Sequence, residues 1–338
     1  MKVIKLLTGR PLPQALSVEE LETPTPGPGE VLVRMHAASL NYRDLIVAEG
    51  SLSGAQQAKP LIPLSDGAGE IAATGEGVTR WREGDRVVGS FFRDWLDGRF
   101  LPKHMQSALG GAIDGVLAEY RLFPETALAR MPTHLSFQQA ATLPCAALTA
   151  WHALFEKTPL LPGETVLVLG TGGVSVFALQ FARIAGAKII ATSSSDEKLS
   201  RMEQLGASGM INYRARSDWD QAVLELTDSA GVDQIIEVGG AGTLQRSFSA
   251  SRTGGRVSLI GRLTGIEDRV DPRPIMAKGL TVQGIYVGSV AMLERMVRSI
   301  EASGMQPVID RTFVIDDTAQ AYAHLKAAAH FGKVVIEI

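Results

Sequence analysis

The chain has 338 residues, 45% hydrophobic and 20% charged, which is ordinary for a soluble globular protein and long enough for two domains with substantial cores. With 33 basic against 36 acidic residues the net charge is −3, which excludes a global basic field that would recruit nucleic acid or an anionic membrane. A single cysteine, Cys145, excludes an internal disulfide framework and a multi-cysteine zinc site.

The opening MKVIKLLTGRPLP has lysines but no sustained apolar core or cleavage signature, so it does not read as a signal peptide. No run approaches the about 18 apolar residues of a membrane span, and a cytoplasmic location is expected. The first third reads as β-rich. GEVLVRMHAASL (29–40) follows the Pro/Gly punctuation PTPGPG. GAGEIAATGEGV and GDRVVGSFF give further short strands between turns, and GVLAEYRLF (115–123) closes the block. LSFQQAATLPCAALTAWHALFEK is helix-compatible, with an interruption at Pro144. From Thr165 strands and helices alternate. TVLVLG leads into a helix from Gly173 to about Ala185; AKIIATS, GMINY and GVDQIIEVGG are each followed by an amphipathic helix; RVSLIG and LTVQGIYVG complete the set. Apolar strands spaced by amphipathic helices predict a parallel sheet covered on both faces. Two helices and a final strand, KVVIEI, form the tail.

Between the first of these strands and its helix lies Gly170-Thr171-Gly172-Gly173-Val174-Ser175. A strand, a glycine turn and a helix in this order are the context of a dinucleotide fingerprint: one glycine permits the tight turn, the next lets a pyrophosphate approach the backbone, and the helix N-terminus favours the anion. Ser175 stands where the pattern's third glycine would be. The following strand ends in ATSSSDEKL, with Ser193 and Ser194 where a carboxylate would select an unphosphorylated ribose. Hydroxyls there can donate to a 2′-phosphate, Lys198 can add a point charge, and Tyr213 ends the neighbouring strand. NADPH is therefore expected over NADH, although SSDE also suits an ordinary helix N-cap.

The segments GEVLVRMHAASLNYRDL, PLSDGAGEIAATGEGV, GDRVVG, GAIDGVLAEY, LPCAALTAW, LVLGTGGVS and HFGKVVIEI resemble the medium-chain dehydrogenase/reductase superfamily along essentially the whole chain, in particular its zinc-independent quinone-oxidoreductase-like and alcohol-dehydrogenase-like branch. The resemblance implies an α/β protein: a GroES-like β-rich catalytic domain (1–147 and 288–338) into which a Rossmann domain with a doubly wound parallel sheet (148–287) is inserted. It also implies cofactor contacts at Thr149, Gly239, Ile260, Gly261, Tyr286, Val287, Phe331 and Lys333.

The zinc enzymes of the superfamily hold a catalytic metal with a cysteine, a histidine and a second cysteine. By resemblance those positions are Asn41, Ser65 and Cys145 here, and one thiolate cannot hold a tetrahedral zinc. Cys145 is expected to be a small buried core residue, and no metal is expected. The proton-relay positions of the zinc enzymes are Arg43 and Ile46. Without a metal, the charge developing on an acceptor oxygen needs hydrogen-bond donors. The candidates are the Tyr42 phenol and the Asn41 amide, with Arg43 expected to pair with Asp44.

The expected activity is metal-free, NADPH-dependent hydride transfer to or from a small hydrophobic carbonyl, alcohol or quinone substrate. Reduction of an enone or enoyl C=C bond is the alternative, and a non-catalytic nucleotide-binding protein a more distant one. The aromatic segment 90–111 either lines or covers a substrate pocket, or forms a satellite cluster or a dimer contact. LTVQGIYVG, as an apolar edge strand, predicts a homodimer.

Overall fold

The computed structural model describes residues 1–50, 60–265, 267 and 269–338. In chain order the strands are β1 (Lys2–Leu6), β2 (Leu16–Glu20), β3 (Glu30–Leu40), β4 (Asp66–Thr74), β5 (Arg86–Gly89), β6 (Tyr120–Pro124), β7 (Leu128–Arg130), β8 (Thr165–Leu169), β9 (Lys188–Ser193), β10 (Gly209–Asn212), β11 (Val232–Glu237), β12 (Ser251–Leu259), β13 (Thr281–Gly284), β14 (Ile309–Val314) and β15 (Lys333–Glu337). The chain divides into two units, Met1–Leu148 with Val287–Ile338, and Thr149–Tyr286.

The first unit is a GroES-like sheet in the order β14-β15-β3-β4-β5-β7, with β6 also paired to β3. β14 and β15 run parallel and the other pairs antiparallel. Val33, Ile71, Val87, Phe123, Leu128 and Val334 pack its core. The register sets Leu40 opposite Val334 and Ser39 opposite Asp66. The end of β3 and the starts of β4 and β15 therefore meet at one end of the sheet, carrying Asn41, Asp66 and Lys333.

The second unit is an all-parallel sheet in the order β10-β9-β8-β11-β12-β13. The helices Gly173–Ile184, Asp196–Leu205, Trp219–Leu226 and Ala241–Ala250 alternate with its strands, which makes a Rossmann-like doubly wound domain. Val166, Leu167, Val168, Ile235, Ile236 and Val257 are wholly buried, as the apolar runs require when both sheet faces are covered. The strand order reverses between β8 and β11, and open sheets of this kind bind ligands beyond the carboxyl ends of the strands at such a point.

Around Pro144 the chain does not stop being helical. A short helix, Phe137–Ala140, gives way to wider π-turns at Leu143–Ala147 and His152–Glu156, flanking Leu148–Trp151. Pro144 sits in the opening positions of the first π-turn, where its missing N–H leaves no bond unmade. The segment GVLAEYRLF becomes a strand only from Tyr120.

The aromatic segment forms a satellite core. Phe91, Phe92 and Trp95 are buried. Trp95 lies 4.8 Å from Phe100 and stacks on His104 at 5.8 Å, and Phe92 meets Trp95 edge-on at 5.9 Å.

Candidate functional site

In the second unit, Gly170 has φ +73°, a left-handed conformation that suits glycine, directly after β8. Gly172 is the N-cap of the Gly173–Ile184 helix, and no side chain caps it. A Cβ placed on Gly172 would meet nothing within 4 Å, so the space before the helix N-terminus is kept open. Thr171 is buried and Val174 lies in the first turn. Ser175 is buried with its hydroxyl donating to Leu169 O at 2.7 Å. It thus ties the helix to β8 where a third glycine would have allowed close packing.

At the end of β9, Ser193 is buried and its hydroxyl accepts from Ser195 N–H at 3.3 Å, while Ser195 caps the next helix by accepting from Lys198 N–H. Ser194 and Lys198 are partly exposed. Asp196, the nearest acid, accepts from Asn212 Nδ2 at 2.7 Å, and Tyr213 stands exposed at the end of β10. Both readings of SSDE therefore coexist: Ser195 serves the helix, and Ser193 keeps its own O–H available as a donor.

At the end of β11, Glu237 is wholly buried, a feature that the sequence reading missed. Its carboxylate accepts from Gly239 N–H at 2.7 Å, Gly240 N–H at 3.0 Å and Thr243 Oγ1 at 2.7 Å, and also from Ser247 Oγ. Its carbonyl accepts from Ile260 and Gly261 N–H at 2.8 and 3.2 Å. Gly239, Ile260 and Gly261 are thereby fixed at the carboxyl ends of β11 and β12. Thr149 is buried at the start of this unit and Tyr286 is exposed at its end.

In the first unit, Asn41 is the N-cap of the helix Tyr42–Ala48, and its N–H donates to Asp44 Oδ2 at 2.7 Å. Tyr42 is exposed. Arg43 is committed locally: it pairs with Asp44 at 3.8 Å, donates to Leu109 O at 2.7 Å and lies 4.6 Å over the Phe91 ring. Asp44 is buried, which pushes its carboxyl up to about 6 against the opposing pull of Arg43, the Asn41 N–H and Lys333.

Asp66 is wholly buried and accepts from Ser65 Oγ at 2.7 Å and Cys145 N–H at 3.1 Å. Burial raises it, while Lys333, Ser65, the Asn41 amide and the Cys145 N–H hold it down. Cys145 is partly exposed rather than a closed core residue, because it borders this polar cluster. Low-polarity surroundings, then Asp66, push its thiol up, which removes thiolate character.

Lys333 points into the same cluster, with Nζ donating to Leu40 O and to Asn41 Oδ1, both at 2.6 Å. Burial lowers its basicity, and Asp66, Cys145 and Asp44 oppose that. The buried Lys333 and the half-buried Arg43 thus balance the two buried carboxylates. Two positions before Lys333, Phe331 is buried with its N–H donating to Asp310 Oδ1 at 2.9 Å; elsewhere in this unit Val287 holds an uncommon φ of +51°. The structure brings Asn41 and Lys333 together. It adds Asp44, Asp66 and Ser65 to them, and leaves Tyr42 at the surface.

A family model described as "Alcohol dehydrogenase GroES-like domain" matches residues 27–133, and one described as "Zinc-binding dehydrogenase" matches residues 173–302. The chain is 45% identical over 335 residues to a zinc-type alcohol dehydrogenase-like protein of Schizosaccharomyces pombe, covering 96% of this chain and 95% of that protein. It is 29% identical to the quinone oxidoreductase of Homo sapiens, covering 96% and 94%. A solved structure of an NAD-dependent alcohol dehydrogenase superposes with a TM-score of 0.91 at 33% identity, covering all of both chains. The two family models together match more than half of the chain, and the chain belongs to the medium-chain dehydrogenase/reductase superfamily, a family of oxidoreductases.

Proposed function

We propose that the chain is a zinc-independent, NADPH-dependent oxidoreductase that moves a hydride to or from a small hydrophobic carbonyl, alcohol or quinone substrate. The observation that carries this reading is the donor set at the end of β3. By resemblance, Asn41, Ser65 and Cys145 take the family's metal-ligand positions. The thiol of Cys145 is raised, Ser65 is bonded to Asp66, and an ammonium occupies the Asn41 oxygen. Zinc takes thiolates, neutral imidazoles and carboxylates; Asn41 and Ser65 supply none of these and the Cys145 thiol is held protonated, so these three residues do not fit it. Among the described residues no group of three His, Cys, Asp or Glu side chains could hold a metal ion.

The nucleotide fits better. The open cradle at Gly172, the uncapped helix and the switch point between β8 and β11 support a pyrophosphate site. Ser193, Ser194, Lys198 and Tyr213 would hold the adenosine ribose, and the lack of a strand-end carboxylate supports a 2′-phosphate on it. In the second unit, Thr149, Gly239, Ile260, Gly261 and Tyr286 would serve the nicotinamide half. The bound nucleotide supplies the hydride. The chain supplies donors for the oxygen that gains charge, the Asn41 amide being buried and the Tyr42 phenol exposed to deliver or collect a proton.

Steady-state assays of NADPH and NADH against aldehydes, alcohols and quinones test this. We expect turnover with higher kcat/KM for NADPH; no turnover with either nucleotide contradicts it. The product from a simple enone, allylic alcohol or saturated ketone, separates carbonyl from C=C reduction.

β13 is the edge of the parallel sheet with Val282 exposed, and a second copy paired across it would cover that edge. Sedimentation at micromolar concentration should show a homodimer, and a monomer contradicts it. No helix among the described residues is long and apolar enough to cross a membrane.

A further inference from the structure

Lys333 and Asn41 lie 292 positions apart and meet because β15 pairs antiparallel with β3, with Val334 opposite Leu40. The next residue outward on each strand is then Lys333 on one and Asn41 on the other. Lys333 is 3% exposed, and its ammonium spends two of its protons on Leu40 O and Asn41 Oδ1. An ammonium has donors only, so it dictates the orientation of the amide it meets: Oδ1 must face Lys333 and Nδ2 must point away. Asn41 Nδ2 is buried on the Asp66 side of the cluster and pulls that carboxyl down, yet it closes no full hydrogen bond there. Leaving such an N–H unpaired costs about 1–3 kcal/mol, a cost that a ligand oxygen would remove.

We infer that Lys333 is a positioning residue, an internal cation that locks the Asn41 side chain so that its Nδ2–H is presented to the carbonyl oxygen of the substrate. The inference rests on the metal-free oxidoreductase reading. It assigns Lys333 a role different from direct contact with the nucleotide, because both bonds of its ammonium run into the first unit. In a metal enzyme the divalent ion orients and polarises the substrate oxygen. Here the positive charge stays one hydrogen bond behind the donor and strengthens it as the oxygen gains charge.

Lys333→Met removes the charge with little change of volume, and Lys333→Gln keeps a neutral donor in case the first variant fails to fold. With a substrate that the wild type turns over, both variants should lose about 10- to 100-fold in kcat while the NADPH Kd stays within about twofold. Asn41→Ala should show a similar loss, and the double variant K333M/N41A should fall no lower than N41A, because one residue acts through the other.

A raised NADPH Kd with kcat retained would place the ammonium on the nucleotide and overturn the inference. Losses that multiply in the double variant would overturn it too. So would an unchanged kcat, the result expected if Nδ2 merely settles on Asp66. If the wild type turns nothing over, the oxidoreductase reading itself has failed. The 15N-resolved side-chain amide signals of Asn41 then decide this inference alone: a shift in K333M supports it, and coincident signals refute it.

Discussion

Asp44→Asn probes the buried charge cluster most simply. Asp44 is 1% exposed, and burial lifts its carboxyl from the ordinary 3.8 to about 6, even with Arg43 and Lys333 nearby. At about 1.4 kcal/mol per pH unit, the native state prefers the protonated acid by about 3 kcal/mol. Because the folded value lies above the unfolded one, that preference is complete below pH 3.8 and is lost as pH rises through about 6. Asparagine resembles the protonated acid and keeps an acceptor for the Asn41 N–H. The variant should therefore match the wild type in acid and exceed its stability by up to about 3 kcal/mol at neutral pH. Urea unfolding followed by tryptophan fluorescence across this range measures the difference. An infrared difference spectrum should show a protonated-acid carbonyl band in the wild type at pH 5 that D44N lacks. Parallel stability profiles, with no such band, would refute the reasoning.

Three further outcomes follow from the geometry. Gly172→Ala should fold normally, because its Cβ meets nothing in the protein, yet weaken NADPH binding about tenfold or more by filling the anion cradle; equilibrium fluorescence titration measures this. Trp95→Ala should lower stability by about 3–5 kcal/mol in chemical denaturation, because Trp95 is buried in the satellite core. Tyr42→Phe should reduce kcat by about 10- to 100-fold with KM nearly unchanged if the exposed phenol moves the proton, and steady-state kinetics decides it.

Features that depend on neighbours in the chain could be read from the sequence. Alternating residues in EVLVRMHAASL, the apolar runs TVLVL and VDQIIE, and Gly170 between a strand and a helix each state a local physical requirement, and the structure meets them. The resemblance supplied what periodicity cannot, that both ends of the chain build one β-rich unit. The candidate site was less legible because its parts meet through sheet register. Nothing near Lys333 in the sequence shows that its ammonium will meet Asn41, or that Asp66 will be buried beside Cys145. Glu237 lies within an apolar strand run that carries no local signal for its role, and only the folded turn shows it accepting two backbone N–H groups. The aromatic segment was ambiguous because composition cannot tell a pocket lining or a dimer contact from a core; in the folded chain Phe91, Phe92 and Trp95 are buried and Phe92 packs edge-on against both others.

The central claim is that an ammonium-backed amide does the work of a metal in this chain. The most direct measurement is turnover with NADPH after exhaustive chelation, with the metal content of the same sample determined by mass spectrometry. The account predicts full activity in protein that carries essentially no transition metal. Activity that vanishes with chelation and returns with one zinc per chain would contradict it.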